Sequence, residues 1–326
     1  MKHLASLAFL APISLAWSLP AAAQEAEEPA TPTSVIAAAG ADEWIAIAPE
    51  DLLVMDLAPD ARGNARRVVI QLMPPPFSQP WVANIRTLAA AHWWDGTSVN
   101  RVQDNYVTQW GDVTEAKPLP EGVVSPMAEY TVQWCNYHVC PALPPVGNLG
   151  RRLTSEHGWN SFVEGWPIGE LEGRSGAWPI HCYGAVGVGR NMAPDTGTGA
   201  ELYTIIGQPQ RHMDRNLAVV GRVIEGMEHL SSLPRGHGEL GFYTEEEADL
   251  RVPILSVRLG SELASASSSE AVGQQESTPR YEYLDTAGQS FARYVAVRAN
   301  RNDAFYTVPA GGVDVCSVQV PVRRAE

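Results

Sequence analysis

The sequence predicts a mainly β fold with a few helices, and three observations lead there. Glycine and proline together, 28 and 25 residues, make about a sixth of the 326-residue chain. That density of turns suits many short strands. Strand-length runs of alternating or β-branched residues recur along the chain. The first two of them, 52–57 and 68–72, are separated by Pro59-Asp60-Ala61-Arg62-Gly63-Asn64, a hairpin-like turn.

The remaining elements follow in order. Ser78 with Pro80 is a helix start. From there Val82, Ile85, Leu88 and Ala89 mark one apolar helical face that ends near Trp93. Asp95-Gly96 turns the chain, and 99–102 and 106–110 alternate as strands. Residues 113–180 are rich in Pro, Trp and Gly, with Trp159, Phe162 and Trp166 at helical spacing. Strand patterns return at 185–188, 202–206, 218–224 and 253–259. The glycines of Gly184-Ala-Val-Gly-Val-Gly189 belong to a tight β segment, because no helix or downstream acid completes a dinucleotide loop. The run Glu245-Glu246-Glu247 is a solvated turn or helix start. A Ser/Ala/Gln/Glu-rich stretch, 260–280, reads as a linker. The C-terminal extension, 281–326, is a small α+β unit. Its expected helix carries Phe291, Tyr294, Val295 and Val297, and its expected strands are 305–308 and 315–322.

The N-terminus has the form of a secretory signal peptide over 1–23. Lys2 and His3 precede an apolar stretch, and Ala21-Ala22-Ala23 gives a small-x-small cleavage site before Gln24. Pro12 and Pro20 make this stretch a poor membrane span, and no other segment is a candidate for one. Residues 24–49 read as an N-terminal spacer, disordered in its first part. The net charge of −14, or −15 once Lys2 leaves with the leader, argues against nucleic acid or anionic lipid as partner. Export places the chain in the periplasm or outside the cell. In an oxidising compartment the four cysteines Cys135, Cys140, Cys182 and Cys316 suggest disulfides, with three possible pairings. Cys135 and Cys140 suit a local staple, which leaves Cys182 and Cys316 to tie the core to the tail. Four free thiols, or a zinc site using His138 and His181, are the alternatives.

Two segments carry the chemistry. The first is Asp95-Gly-Thr-Ser-Val-Asn-Arg-Val-Gln-Asp-Asn-Tyr-Val-Thr-Gln-Trp-Gly-Asp112. The second is Gly199-Ala-Glu-Leu-Tyr-Thr-Ile-Ile206 followed by Met213-Asp-Arg-Asn-Leu-Ala-Val-Val-Gly-Arg-Val-Ile-Glu-Gly-Met227. They resemble the two signature stretches of the cyclophilin-type peptidyl-prolyl cis–trans isomerases, "F-H-R-V-x-x-x-F-x-x-Q-G-G-D" and "G-S-Q-F-F-I … L-D-x-x-x-x-V-F-G-x-V-x-x-G-M". Asn84-Ile85-Arg86-Thr87-Leu88 is similar to the family's "N-F-R-x-L" helix. The resemblance covers residues 50–259. It implies a closed eight-stranded antiparallel β-barrel capped by helices, with the active groove on its outer face, and it makes 113–180 an insertion.

The resemblance also implies site residues. Arg101 takes the catalytic Arg position and Gln109 the Gln position. Tyr106 and Tyr203 stand at aromatic pocket walls, and Val107 stands where Met is usual. Glu201 replaces the Gln of "G-S-Q", His212 replaces a rim Trp or Phe, and Leu217 occupies a position where many members have His. The implied reaction needs no cofactor, no metal and no covalent intermediate. Its partners would be proline-containing segments of exported proteins, and the chain would act as a folding factor. Two other classes are a peptide-binding module that uses the same groove without turnover, and a hydrolase with its site in the insertion.

Overall fold

The computed structural model describes residues 29–132, 153–155, 158–170, 176–267, 280–303 and 305–325. In chain order the strands are β1 (Trp44–Ile47), β2 (Leu52–Leu57), β3 (Arg66–Leu72), β4 (Ser98–Val102), β5 (Val107–Gly111), β6 (Leu153–Ser155), β7 (Gly158–Val163), β8 (Trp166–Glu170), β9 (Ala177–Pro179), β10 (Ala185–Val188), β11 (Leu202–Ile205), β12 (Val219–Glu225), β13 (Val252–Leu259), β14 (Tyr281–Leu284) and β15 (Val322–Arg324). The α-helices are α1 (Pro32–Ala37), α2 (Gln79–Ala90), α3 (Glu228–Ser231), α4 (Gly260–Ser267) and α5 (Gln289–Ala299). The leader, His138, Cys135 and Cys140 lie outside the described residues.

Eight strands close a barrel in the order β10-β11-β5-β4-β13-β2-β3-β12, and every pairing is antiparallel. The fold is thus mainly β, as the sequence predicts. In β2, Leu53, Met55 and Leu57 belong to the barrel core, while Leu52 and Val54 pack outside with Ile47, Tyr281 and Tyr283. This strand is covered on both faces, which is why it reads as a continuous apolar run. Helix α2 lays Trp81, Val82, Ile85, Leu88 and Ala89 against the same core. It stops at Ala90, three residues short of Trp93.

The insertion contains a four-stranded antiparallel sheet, β6-β7-β8-β9. Trp159, Phe162 and Trp166 therefore sit on strands, not on a helix. The helical spacing misleads because the chain reverses between them. Glu164 (φ 47°) and Gly165 (φ 83°) form the two-residue hairpin turn, with both residues in the left-handed region.

The two ends of the chain depart most from expectation. Residues 32–47, read as part of a spacer, carry α1 and β1. Strand β1 pairs with β14, and β14 with β15, in a three-stranded sheet. Val35 and Trp44 share a core with Leu284, Phe291, Tyr294 and Val315. The partners lie some 240 residues apart, so no local pattern announces them. Within 260–280, the first eight residues are α4 rather than linker. Leu263 packs inward, and Glu262 lies 3.5 Å from Arg258 near the end of β13. In the tail α5 forms as expected, but Phe305 and Val308 are exposed and outside any strand. Residues 315–322 begin as a short turn capped by Asp314, whose carboxylate accepts from the Cys316 N–H at 2.8 Å, and the strand comes only at Val322.

Cys182 and Cys316 form a disulfide with Cα atoms 5.1 Å apart, joining the segment before β10 to the tail. No helix among the described residues is long and apolar enough to cross a membrane.

Candidate active site

Strand register assembles the site. Arg101 on β4 faces Gln109 on β5, Gln109 faces Tyr203 on β11, and Tyr203 faces Gly187 on β10. These four residues form one row across the barrel's outer surface, because opposed residues of paired strands point to the same face.

The Arg101 guanidinium is held by three neutral acceptors. Its Nη1 donates to Gln109 Oε1 at 3.1 Å, its Nη2 to Gln103 Oε1 at 2.5 Å and its Nε to the Leu240 carbonyl at 2.7 Å. The rings of Tyr106 and Phe242 lie 5.5 and 5.2 Å from the guanidinium carbon. Burial lowers its pKa, though the group stays cationic at any working pH. Five guanidinium N–H groups and three described bonds leave two donors for a substrate.

Gln109 is fixed from both ends. Its Oε1 accepts from Arg101 and its Nε2 donates to Glu201 Oε2 at 3.4 Å. Asn100 Nδ2 lies 3.5 Å from the same carboxylate oxygen. Burial pushes the Glu201 carboxyl up to about 7, against the hydrogen bonds from Gln109 and Asn100 that pull it down. Gly111 makes this possible. A Cβ there would fall 1.8 Å from Glu201 Oε1, so any side chain would displace the carboxylate.

At the edge of the row, Tyr106 stacks on His212 with centroids 6.0 Å apart and rings 12° from parallel. Val107 is two residues from Gln109 on the same strand face and is buried. Leu217 packs half-buried on the barrel core. Tyr203 differs from an open pocket wall. It is 3% exposed, and its ring lies over Gly187, where a Cβ would come within 2.3 Å of the phenol oxygen. That hydroxyl meets His181 Nε2 at 2.9 Å. His181 is fully buried, and its Nδ1 and backbone N both reach Asp214 Oδ1, at 2.9 and 3.0 Å. Burial raises the Asp214 pKa, but bonds from His181 and Arg211 outweigh it and hold the group low. An ionised Asp214 thus accepts from the His181 backbone N–H and lies within hydrogen-bond distance of its Nδ1, and the ring joins Asp214 to the Tyr203 hydroxyl.

Seven of the eight residues expected at the site thus lie on or beneath one face, and Leu217 is placed only against the barrel core. Sequence reasoning missed Gln103, Phe242 and the Leu240 carbonyl on the Arg101 side, and His181 as the partner of Tyr203. Gln103 is two residues from Arg101 and could have been found by strand parity. The 236–242 loop offers no such signal, since it contributes a backbone oxygen. Among the described residues no group of His, Cys, Asp and Glu is arranged to hold a metal ion.

The family model for "Cyclophilin type peptidyl-prolyl cis-trans isomerase/CLD" matches residues 65–259. Among solved structures, the chain is similar to cyclophilin AquaCyp293 from Hirschia baltica at 20% identity and a TM-score of 0.61, over 91% of this chain and 99% of that one. A cyclophilin-type isomerase from Cryptosporidium parvum aligns at 12% identity over 64% of this chain and 97% of that one, but its TM-score of 0.34 carries no weight. No curated protein matches the chain. With the family match running from β3 through β13 and the closed eight-stranded barrel built from those segments and β2, the chain belongs to the cyclophilin-type peptidyl-prolyl cis–trans isomerases.

Proposed function

We propose that this isomerase acts on Xaa-Pro bonds of exported polypeptides, with Arg101 as the catalytic residue and Gln109 as its positioning partner. The observation that carries the reading is the Arg101 guanidinium itself, anchored three ways by neutral groups and paired with no carboxylate among the described residues. Rotation about a prolyl amide destroys C–N resonance, with a barrier of about 18–20 kcal/mol. The twisted amide has a pyramidal nitrogen whose lone pair accepts a hydrogen bond that the planar forms do not. A donor fixed at that nitrogen favours the transition state selectively. Arg101 supplies a permanent charge in a rigid fork, and Gln109 holds one arm of it. Tyr106, Val107, Tyr203, His212 and Leu217 shape the surface that receives the proline ring, and Glu201 keeps Gln109 in register. None of these steps requires a group to titrate.

Export is supported by the leader-like sequence of residues 1–23 and by the Cys182–Cys316 disulfide, a bond that persists in oxidising compartments. Exchange spectroscopy on a proline peptide tests the activity. Wild-type protein accelerates cis–trans exchange and Arg101→Ala does not. Peptide binding without exchange would favour a binding module on the same groove. Mass spectrometry of the envelope fraction should find the mature N-terminus near Gln24, and a cytosolic protein retaining Met1 would overturn the export reading.

A further inference from the structure

A cavity of about 820 Å³ lies away from the Arg101 face, between the barrel, the insertion sheet and the paired chain ends. Its walls are mostly apolar, with Ile36, Trp44, Trp166, Ile180, Val318 and Val320 among them. Exposed Ala37, Tyr183 and Gln319 also belong to the lining, so the cavity reaches solvent there. This size and lining are those of small-molecule sites, which combine an apolar wall with a few placed polar groups.

Charged groups of both signs line it: Arg222 and Arg323, the latter paired with Glu282, beside Glu225 and Glu228. Arg222 lines the cavity from β12, with the Trp166 ring 4.6 Å and the Tyr283 ring 5.9 Å from its guanidinium carbon. Its Nε and Nη2 both donate to Gln71 Oε1, at 2.9 and 2.7 Å, and its Nη1 donates to the Gly165 carbonyl at 2.6 Å. No carboxylate pairs with it among the described residues, so a half-buried charge is held by neutral oxygens alone. Such a charge is costly unless something neutralises it. The indole N–H groups of Trp44 and Trp166 have no acceptor among the described residues, but they are buried in the wall and do not open on the cavity. Glu225, an acidic residue of the lining, is already taken by Arg324 and Tyr281. Glu228 is exposed.

We infer that this cavity binds an amphiphile with an apolar tail and a single anionic head, a long-chain carboxylate in chemical class, with the head at Arg222. An apolar body fits the walls, and an anion supplies the countercharge that Arg222 lacks among the described residues. Arg recognises carboxylates through paired N–H groups, and two of the five on Arg222 remain for the ligand.

The test uses the mature protein with dodecanoate below its micelle concentration, read by tryptophan fluorescence, because Trp44 and Trp166 line the site. One equivalent should bind saturably, and dodecanol, with the same tail and no charge, at least tenfold more weakly. Arg222→Gln should weaken dodecanoate at least tenfold and leave dodecanol unchanged. Val320→Phe, which fills the cavity from the tail, should abolish both while proline-peptide turnover stays at the wild-type rate. Equal affinity for acid and alcohol would overturn the assignment of the head. Absent binding, or binding that Val320→Phe leaves intact in a protein folded by circular dichroism, would overturn the site itself.

Discussion

Arg101 and Arg222 lie four strands apart whichever way one travels round the barrel, yet they are built alike. Each rises from a barrel strand, is gripped by a glutamine oxygen and a main-chain carbonyl, and lies beside two aromatic rings. Each has its pKa lowered by burial, Arg222 down to about 10. The difference is in what covers them. Arg101 is half-buried at the outer surface beside Tyr106, which stacks on exposed His212. Arg222 faces a cavity roofed by the chain ends and fastened by Cys182–Cys316. Neutral anchoring leaves a guanidinium's charge unspent, and the surroundings decide whether a passing peptide or an enclosed ligand uses it.

Cutting the disulfide should separate the two regions most sharply. The bond spans 134 residues, and removing it with Cys182→Ser and Cys316→Ser should cost roughly 2–5 kcal/mol of stability. Urea unfolding measures the loss, and turnover at the Arg101 face should survive wherever the protein is folded. An equal fall in turnover would show that the roof also supports the groove.

Arg101→Ala attacks the other region. Losing about 3 kcal/mol of transition-state interaction costs roughly a hundredfold in rate, with the fold and the Arg222 cavity intact. Arg101→Lys should recover little, because a flexible ammonium cannot replace the fork. Gln109→Ala should cost about tenfold by the same rate arithmetic, since Gln103 and Leu240 still hold the guanidinium. A loss as large as that of Arg101→Ala would make Gln109 more than a positioning residue.

The smallest effect concerns Glu201. Its folded pKa of about 7 exceeds its ordinary value of 4.5, so between those values the folded state keeps a proton that the unfolded state has released. Stability should therefore fall as pH rises from about 4.5 to 7 and level off above. Glu201→Gln should flatten this part of the profile, as read by thermal unfolding between pH 4.5 and 8. An unchanged slope would place its origin elsewhere.

The barrel was legible because most of its strands are read from their own residues. Alternation in 99–102 and 106–110, and the Gly and Gln that flank Trp110, fix both the strands and the Arg101–Gln109 row. The terminal sheet was not legible, because Trp44 and Ile47 gain meaning only against Tyr281 and Leu284. The misread tryptophans of the insertion teach a related point. Residues three and four apart can mark a hairpin as well as a helix when a Glu-Gly turn separates them. At the site, side-chain positions were readable from the resemblance, whereas the Leu240 carbonyl was not, since a backbone oxygen is independent of residue identity. The turn of Tyr203 toward His181 had a signal in Gly187, the one neighbour small enough to admit a phenol.

The pairing of Trp44 with Leu284 has a consequence for how the chain is made. During synthesis β1 emerges about 240 residues before its partner strand. Until β14 and β15 follow, it offers unpaired backbone and apolar side chains to whatever is nearby, the circumstance in which chains associate wrongly. An isomerase of this design therefore carries an unpaired strand through most of its own synthesis, until β14 is present.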